Sequence, residues 1–266
     1  MPELPEVETI VRQLEQKVRG KVIQKAEVFD KIVDSQIGKL SSVTIQKVWR
    51  RAKYIVIELN NSHFLLTHLG MTGHFHFVDQ QHISNHHERF MVAKLTFSDG
   101  SFLTHNSIRK FGKMRLVNKK QLWQVLDKHG PEPLDKNFTL QQFQQILAKK
   151  ARSNLKTSLM DQTVMAGIGN IYAQEALYFA KISPLRNCGS LSSEESKALY
   201  QELRRIMEQA IKHHGTTVDN YSNLEGRGGF QNYLAVYQQQ KCQKNHPLKK
   251  ITIGGRGTSY CTKCQR

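Results

Sequence analysis

The hydrophobic period of this chain changes once, and that change decides its architecture. Residues 21 to about 117 hold eight short runs rich in β-branched and aromatic residues: 22–29, 44–48, 54–59, 64–68, 73–77, 91–97, 101–105 and 113–117. Turn signals separate several of them, notably Asn60-Asn61 and Ser98-Asp99-Gly100. No helical pattern interrupts the runs, so they are expected to pair antiparallel, as a sandwich or barrel. A helix is expected ahead of them over residues 1–20, where Val7, Ile10, Val11, Leu14 and Val18 recur at helical spacing. A short helix over 121–128 leads into His129-Gly130-Pro131-Glu132-Pro133-Leu134, which reads as an interdomain linker.

Beyond the linker the period is helical. Thr139 can cap a helix carrying Leu140, Phe143, Ile146 and Leu147. Further helices are expected near 155–162, from Asn170, and from Ser192 to about His214, where Ser192 and Glu195 spell a capping box. Residues 216–229 are rich in Gly, Asn, Ser and Thr and read as a loop. No internal repeat is visible.

Composition narrows the function classes. The chain has 266 residues, enough for roughly two domains. Its hydrophobic fraction of 39% excludes a disordered chain. No apolar run approaches the roughly 18 residues of a spanning helix, and no secretory signal is visible at the N-terminus, so none is expected. Four cysteines do not make a disulfide scaffold, which fits a reducing cytoplasm. The net charge of +17 and pI near 9.8 point to a polyanionic partner, most simply nucleic acid. A ribosomal or anionic-lipid partner would leave the same mark.

Three segments carry chemistry. The first is the tail, Cys242-x3-His246-x14-Cys261-x2-Cys264, whose two close pairs suit one tetrahedral zinc. A redox pair or unrelated thiols is the competing reading, but a short tail poor in apolar residues needs a metal to hold a fold. Cys188 stands alone and is expected to be buried and inert.

The second is Met1-Pro2-Glu3-Leu4-Pro5-Glu6-Val7-Glu8. By itself it is a helix start. Removal of Met1 would also expose a secondary amine with a pKa of about 8, a competent nucleophile at neutral pH. Its attack on an aldehyde-level carbon gives an iminium that drives elimination next door, and Glu3 is placed to shuttle protons.

The third runs from Lys156 through Ala166-Gly167-Ile168-Gly169-Asn170-Ile171-Tyr172. A Gly-x-Gly-Asn turn feeding a helix offers backbone N–H groups to a phosphate, and Asn170 can cap that helix. Such turns also occur with no ligand.

Taken in order, these segments resemble the bacterial formamidopyrimidine-DNA glycosylases, with endonuclease VIII as their relative. The likeness extends from Pro2 to Gln265. It rests on Pro2-Glu3-Leu4-Pro5-Glu6-Val7-Glu8-Thr9, Arg51-Ala52-Lys53-Tyr54, His68-Leu69-Gly70-Met71-Thr72-Gly73, Arg109-Lys110-Phe111-Gly112, Gly167-Ile168-Gly169-Asn170-Ile171-Tyr172-Ala173 and Gly255-Arg256-Gly257-Thr258-x-Tyr260-Cys261. The resemblance implies an α+β chain. An N-terminal antiparallel β-sandwich with flanking helices would occupy 1–130, a helix–two-turn–helix domain 131–228 and a zinc-finger hairpin 229–266.

The resemblance also implies a bifunctional DNA glycosylase and abasic-site lyase of base excision repair. It would excise oxidised purines through a Pro2 Schiff base and cut the strand by β,δ-elimination. Pro2 would be the nucleophile, Glu3 the acid/base, and Lys53 and Arg256 further catalytic-site groups. Glu6 would organise the N-terminal helix. Lys156, Asn170 and Arg256 would contact DNA, the last two at phosphates. Met71, Arg109 and Phe111 would fill the space left by the flipped nucleotide, with Arg109 facing the orphaned base. The 216–229 loop would close over the damaged base. One structural zinc would sit on Cys242, His246, Cys261 and Cys264. The partner would be double-stranded DNA carrying an oxidised base or abasic site, with no membrane, and the protein a monomer in the bacterial cytoplasm at the nucleoid.

Four departures stand out from the family pattern. Ser107-Ile108 replaces Asp-Pro, Ala52 replaces a glycine, Gln174 replaces an aspartate, and His246 stands for the second zinc cysteine. His74 and His76 on one strand face, and the loop pair His86-His87, read as surface or phosphate-side groups. Two other readings compete: a sister glycosylase for oxidised pyrimidines, and a non-catalytic DNA-damage-binding protein.

Overall fold

A computed structural model describes residues 1–79, 90–217 and 222–266. It divides the chain into two compact units. One comprises Met1–Asp127 with His213–Gly229, the other Lys128–Lys212 with Phe230–Arg266.

The first unit begins with helix α1 (Leu4–Val18). Its apolar stripe, Val7, Ile10, Val11, Leu14 and Val18, is buried in the main core. Among the described residues eight strands follow: β1 (Val22–Val28), β2 (Val43–Arg51), β3 (Tyr54–Leu59), β4 (His63–His68), β5 (Gly73–Val78), β6 (Met91–Phe97), β7 (Phe102–Ser107) and β8 (Lys113–Asn118). Every expected run is a strand. All pair antiparallel, in the order β5-β7-β6-β1-β2-β3-β4-β8. The β1–β2 link is only two residues deep, Val22 on Thr44 and Ile23 on Val43. The four strands on each side of it therefore turn their apolar faces toward each other. Ile23, Phe75, Phe97 and Leu103 from one half share a core with Ile45, Ile57, Leu65 and Met114 from the other. Helix α2 (Lys119–Leu126), capped by Asn118, covers the outer face of β4 and β8 through Leu122 and Leu126.

The second unit carries four helices. They are α3 (Leu140–Lys149), α4 (Leu155–Met160), α5 (Asn170–Phe179) and α6 (Ser193–Lys212). The expected caps are in place. Gln142 N–H donates to Thr139 Oγ1 at 3.3 Å, and Glu195 N–H to Ser192 Oγ at 3.2 Å. The hairpin β9 (Lys249–Ile253) and β10 (Arg256–Tyr260) completes the unit. Among the described residues, no helix is long and apolar enough to cross a membrane.

Candidate DNA-repair site and metal centre

In the first unit the chemistry begins at the head of α1. Pro2 and Glu3 are buried there, and Pro5 occupies the first turn. The Glu3 N–H donates to Glu6 Oε2 at 2.8 Å, and the Glu3 carboxylate accepts from the Glu6 N–H, a reciprocal capping box. The other Glu6 oxygen, Oε1, accepts the Thr216 N–H at 2.8 Å. Glu6 thus joins the N-terminus to the start of the 216–229 segment. Farther along α1, Gln13 accepts the Leu224 N–H at 3.0 Å and donates to Asn223 Oδ1 and Glu225 Oε2. Residues 218–221 of that expected loop lie outside the described residues.

Lys53 sits in the tight turn between β2 and β3 and is buried. Ala52 before it adopts a left-handed φ of +52°, a conformation that costs a side-chain-bearing residue about 1 kcal/mol. Arg50 steadies the turn. Its Nε donates to Glu8 Oε2 at 2.8 Å and its Nη1 to the Ala52 carbonyl at 3.0 Å. Burial would raise the Glu8 carboxyl, but the guanidinium groups of Arg50 and Arg12 outweigh it and hold the carboxyl below its usual value.

Met71, Arg109 and Phe111 come together on two loops whose backbones touch. A Cβ on Gly70, at φ +64°, would lie 2.6 Å from the Gly112 nitrogen, and one on Gly112 would lie 2.9 Å from the His68 carbonyl oxygen. Glycine is required at this crossing. The Arg109 N–H donates to Thr72 Oγ1 at 2.9 Å, and the Arg109 guanidinium lies 4.9 Å from the Phe111 ring centre. Met71 and Phe111 are both exposed, Phe111 to 60%. Apolar side chains held out of the core this way suit insertion between bases. A cavity of about 310 Å³ beside Phe111 is lined by Tyr54, Leu66, His68, Lys113, Arg115 and Val125.

Ser107 is fully buried, and its hydroxyl meets no hydrogen-bond partner among the described residues. His74 and His76 are half-buried on β5, with the His74 ring nitrogen Nδ1 3.3 Å from the Thr72 carbonyl. His86 and His87 lie outside the described residues.

In the second unit, Asn170 opens α5, but its cap is Gly169. Asn170 was expected to cap the helix. Its side chain is instead claimed by stronger partners. Asn170 Oδ1 accepts from the Lys156 ammonium at 2.6 Å, and Nδ2 donates to the Gly257 carbonyl at 3.1 Å. Lys156 is fully buried and also donates to Thr258 Oγ1 at 2.8 Å. Arg256 is exposed on the hairpin, flanked by Gly255 and Gly257.

Two neighbouring residues escaped sequence reasoning, apart from Gln174 being noted as a departure. Gln174 bonds the hairpin from α5. Glu175, fully buried, accepts the N–H groups of Ala235, Val236 and Tyr237 at 2.7–3.0 Å. Burial nonetheless pushes its carboxyl above the usual range. A carboxylate in an otherwise largely apolar helix is the sequence signal that could have pointed to such a nest.

The tail brings Cys242, His246, Cys261 and Cys264 together, with all four ligand atoms within 4.8 Å of one another. His246 Nδ1 lies 3.3 Å from Cys264 Sγ and 3.6 Å from Cys261 Sγ. Tetrahedral zinc with ordinary bond lengths separates a nitrogen and a sulfur ligand by about 3.6 Å, so the donor set fits that ion. Burial and the neighbouring Cys261 and Cys242 sulfurs push the Cys264 thiol up to about 11. A dication among the four reverses that preference. Cys188 is buried elsewhere, and burial raises its thiol.

Comparison with known proteins matches two family models to this chain. Residues 1–114 match the formamidopyrimidine-DNA glycosylase N-terminal domain, and residues 129–222 match the formamidopyrimidine-DNA glycosylase H2TH domain. Formamidopyrimidine-DNA glycosylase of Herpetosiphon aurantiacus is 39% identical over 276 residues, covering 100% of both chains. That of Lactobacillus johnsonii is 37% identical, covering 100% of this chain and 99% of the relative. Among solved structures, a mutant of Lactococcus lactis Fpg in complex with Fapy-dG-containing DNA superposes with a TM-score of 0.90 at 34% identity, covering all of both chains. The MutM (Fpg) protein of Thermus thermophilus gives 0.88 at 34% identity, covering 99% and 98%. Matched by both domain models and by relatives over its whole length, the chain belongs to the formamidopyrimidine-DNA glycosylase family.

Proposed function

We propose that this protein is a DNA glycosylase and abasic-site lyase that removes oxidised purines from duplex DNA in the bacterial cytoplasm. The observation that carries the reading is the Pro2-Glu3 pair, buried at the head of α1 in a chain that matches its named relatives end to end.

In this reading Met1 must first be removed, because the Pro2 nitrogen is an amide while Met1 is attached. The freed secondary amine attacks C1′ of a nucleotide swung out of the stack. The C1′–N bond to the damaged base breaks, and the base departs with a proton. The amine gives up its proton, and the C1′–O4′ bond then opens with O4′ taking up a proton. The proline nitrogen is left doubly bonded to C1′ as an iminium whose positive charge acidifies C2′. Loss of a C2′ proton expels the 3′ phosphate, and a second elimination expels the 5′ phosphate. Glu3 moves protons at the sugar. Lys53 lies on the turn that Arg50 ties to Glu8 of α1.

Met71 and Phe111 enter the gap left by the flipped nucleotide, and Arg109 faces the orphaned base. Arg256 and Asn170 grip phosphates beside the lesion. Lys156, having no exposed surface, acts through Asn170 and Thr258. Cys242, His246, Cys261 and Cys264 hold a structural zinc, which when bound locks the two turns flanking the hairpin that carries Arg256.

Borohydride trapping tests the reading. Protein lacking Met1 should form a covalent adduct with abasic duplex DNA, and Pro2→Gly should reduce it. Absence of any adduct from the processed protein removes the enzyme reading and favours a binding-only role. Faster turnover of thymine-glycol than of 8-oxoguanine opposite cytosine would favour the pyrimidine-specific alternative.

A further inference from the structure

We propose that Gln174 is a positioning residue for the Arg256 hairpin, acting as a substitute strand along the edge of β10. The proposal rests on the reading of Arg256 as a phosphate contact.

The turn that presents Arg256 has little stiffness of its own. Gly254 and Gly255 have φ values of +57° and +70°, and Gly257 follows Arg256 directly. Glycines at three of four positions leave the backbone free to wander unless something outside the hairpin holds it. Among the described residues the sheet is two strands wide, so one edge of β10 has no neighbouring strand there. Residues two apart on a strand point their peptide groups to the same side, so Gly257 and Ser259 share an edge.

Gln174 bonds to that edge as a strand would. Its Oε1 accepts the Ser259 N–H at 2.7 Å, and its Nε2 donates to the Gly257 carbonyl at 3.2 Å. One side-chain amide thus replaces the donor and acceptor of a neighbouring peptide. The second Nε2 hydrogen goes to the Asn170 carbonyl at 2.9 Å, one turn back along α5. Gln174 is 2% exposed, so these bonds are shielded from competing water. The same Gly257 carbonyl also accepts from Asn170 Nδ2, and the Lys156 ammonium ties Asn170 Oδ1 to Thr258 Oγ1. The Gly257–Thr258 peptide, one residue beyond Arg256, is therefore fixed from α5, and the two candidate phosphate contacts hold a set spacing. A carboxylate at 174 could accept from Ser259 but could not donate to either carbonyl. The glutamine does both.

The test measures binding of the zinc-loaded full-length protein to a duplex with a reduced abasic analogue across a salt series. Zinc content and thermal melting are read on every variant. Gln174→Met keeps the volume and removes all three bonds. Gln174→Glu keeps the acceptor and turns a charge toward two carbonyls. Both should retain one zinc, bind about tenfold more weakly, and lower the slope of log K against log salt by about 0.9, the loss of one phosphate contact. Arg256→Ala should show the same slope change, and adding Gln174→Met to it should cost less than about twofold more. A general loss of fold would reduce the active fraction and leave the slope alone. An unchanged slope in both Gln174 variants beside a lowered slope in Arg256→Ala overturns the proposal by itself. So does full additivity of the two substitutions. An unchanged slope in Arg256→Ala removes the phosphate reading, and the proposal falls with it.

Discussion

Arg50 joins the first helix to the turn that carries Lys53: its Nε donates to Glu8 Oε2 at 2.8 Å, and its Nη1 donates to the Ala52 carbonyl at 3.0 Å. One guanidinium therefore sets how the Pro2-bearing end of α1 and the Lys53 turn stand within the unit. The arrangement is charged and largely buried, so its removal leaves an uncompensated group. Glu8→Gln should destabilise the protein by about 1–3 kcal/mol at pH 7. The Glu8 carboxyl is held below its usual value in the folded state. Its contribution is therefore complete above the unfolded pKa, near 4.5, and fades as pH falls through the lower folded value. Urea unfolding between pH 7 and 3 should show a loss in the wild type that is smaller in Glu8→Gln. Parallel curves would mean the pair does not govern acid stability.

The Gly70–Gly112 crossing makes a second prediction. Any side chain at 70 meets backbone at 2.6–3.0 Å and must also adopt a positive φ. Gly70→Ala should therefore cost at least about 1–2 kcal/mol and push apart the loops bearing Met71 and Phe111. On the proposed role of Met71 and Phe111, a paired damaged base needs those side chains to stabilise the flipped state. A preformed abasic sugar, already unstacked, needs them less. Single-turnover excision of 8-oxoguanine should fall more than nicking of abasic DNA, by roughly tenfold in the ratio. Equal losses would show that the loops do not assist flipping.

Much of this arrangement is legible in the sequence where the determinants are local. The eight strands alternate or run apolar between turn residues, and each is where the pattern places it. The Thr139 and Ser192 caps lie three residues from their partners. The Cys/His cluster is legible as two close pairs, with His246 at an unusual spacing in the place of a second cysteine. What stays hidden depends on partners far along the chain. The Glu6–Thr216 bond spans 210 residues, so nothing local says that 213–229 groups with the first unit. Gln174 looks like a filler until Gly257 and Ser259 are seen beside it. Asn170 has a capping residue's identity, but the buried Lys156 ammonium is a better partner for its oxygen than a backbone N–H.

His105 gives a pH prediction of opposite chemistry to Glu8. Its ring is fully buried, stacks on Phe75 at 5.1 Å, and neither nitrogen meets a partner among the described residues. Burial, with a smaller push from His74, lowers its pKa to about 3. The unfolded chain takes up a proton near pH 6.5, but the folded chain does not until about 3. Between those values stability should fall by up to about 1.4 kcal/mol per pH unit on this account. His105→Phe preserves the stack and removes the titration. Its stability curve should be flatter than the wild type's from pH 6.5 to 4 and meet or exceed it at the acid end. A wild-type curve no steeper than the variant's would place the ring in contact with water.

The metal centre offers the most direct check on an unusual ligand set. His246 Nδ1 lies at ligand distance from two of the three sulfurs, on a turn closed by the Cys242 N–H donating to the His246 carbonyl at 2.9 Å. A neutral imidazole in place of a thiolate leaves the site one negative charge short of a four-cysteine centre, but it remains a normal zinc ligand. Purified protein should carry one zinc per chain by elemental analysis. His246→Cys should retain it, and His246→Ala should lose most of it or hold it about 10–100-fold more weakly against a chelator. Metal removal should loosen the β9–β10 hairpin and weaken DNA binding. The first unit, whose core contains none of the four ligands, should keep its own unfolding transition. Full zinc occupancy in His246→Ala would show that the three cysteines suffice and that the imidazole only packs beside them.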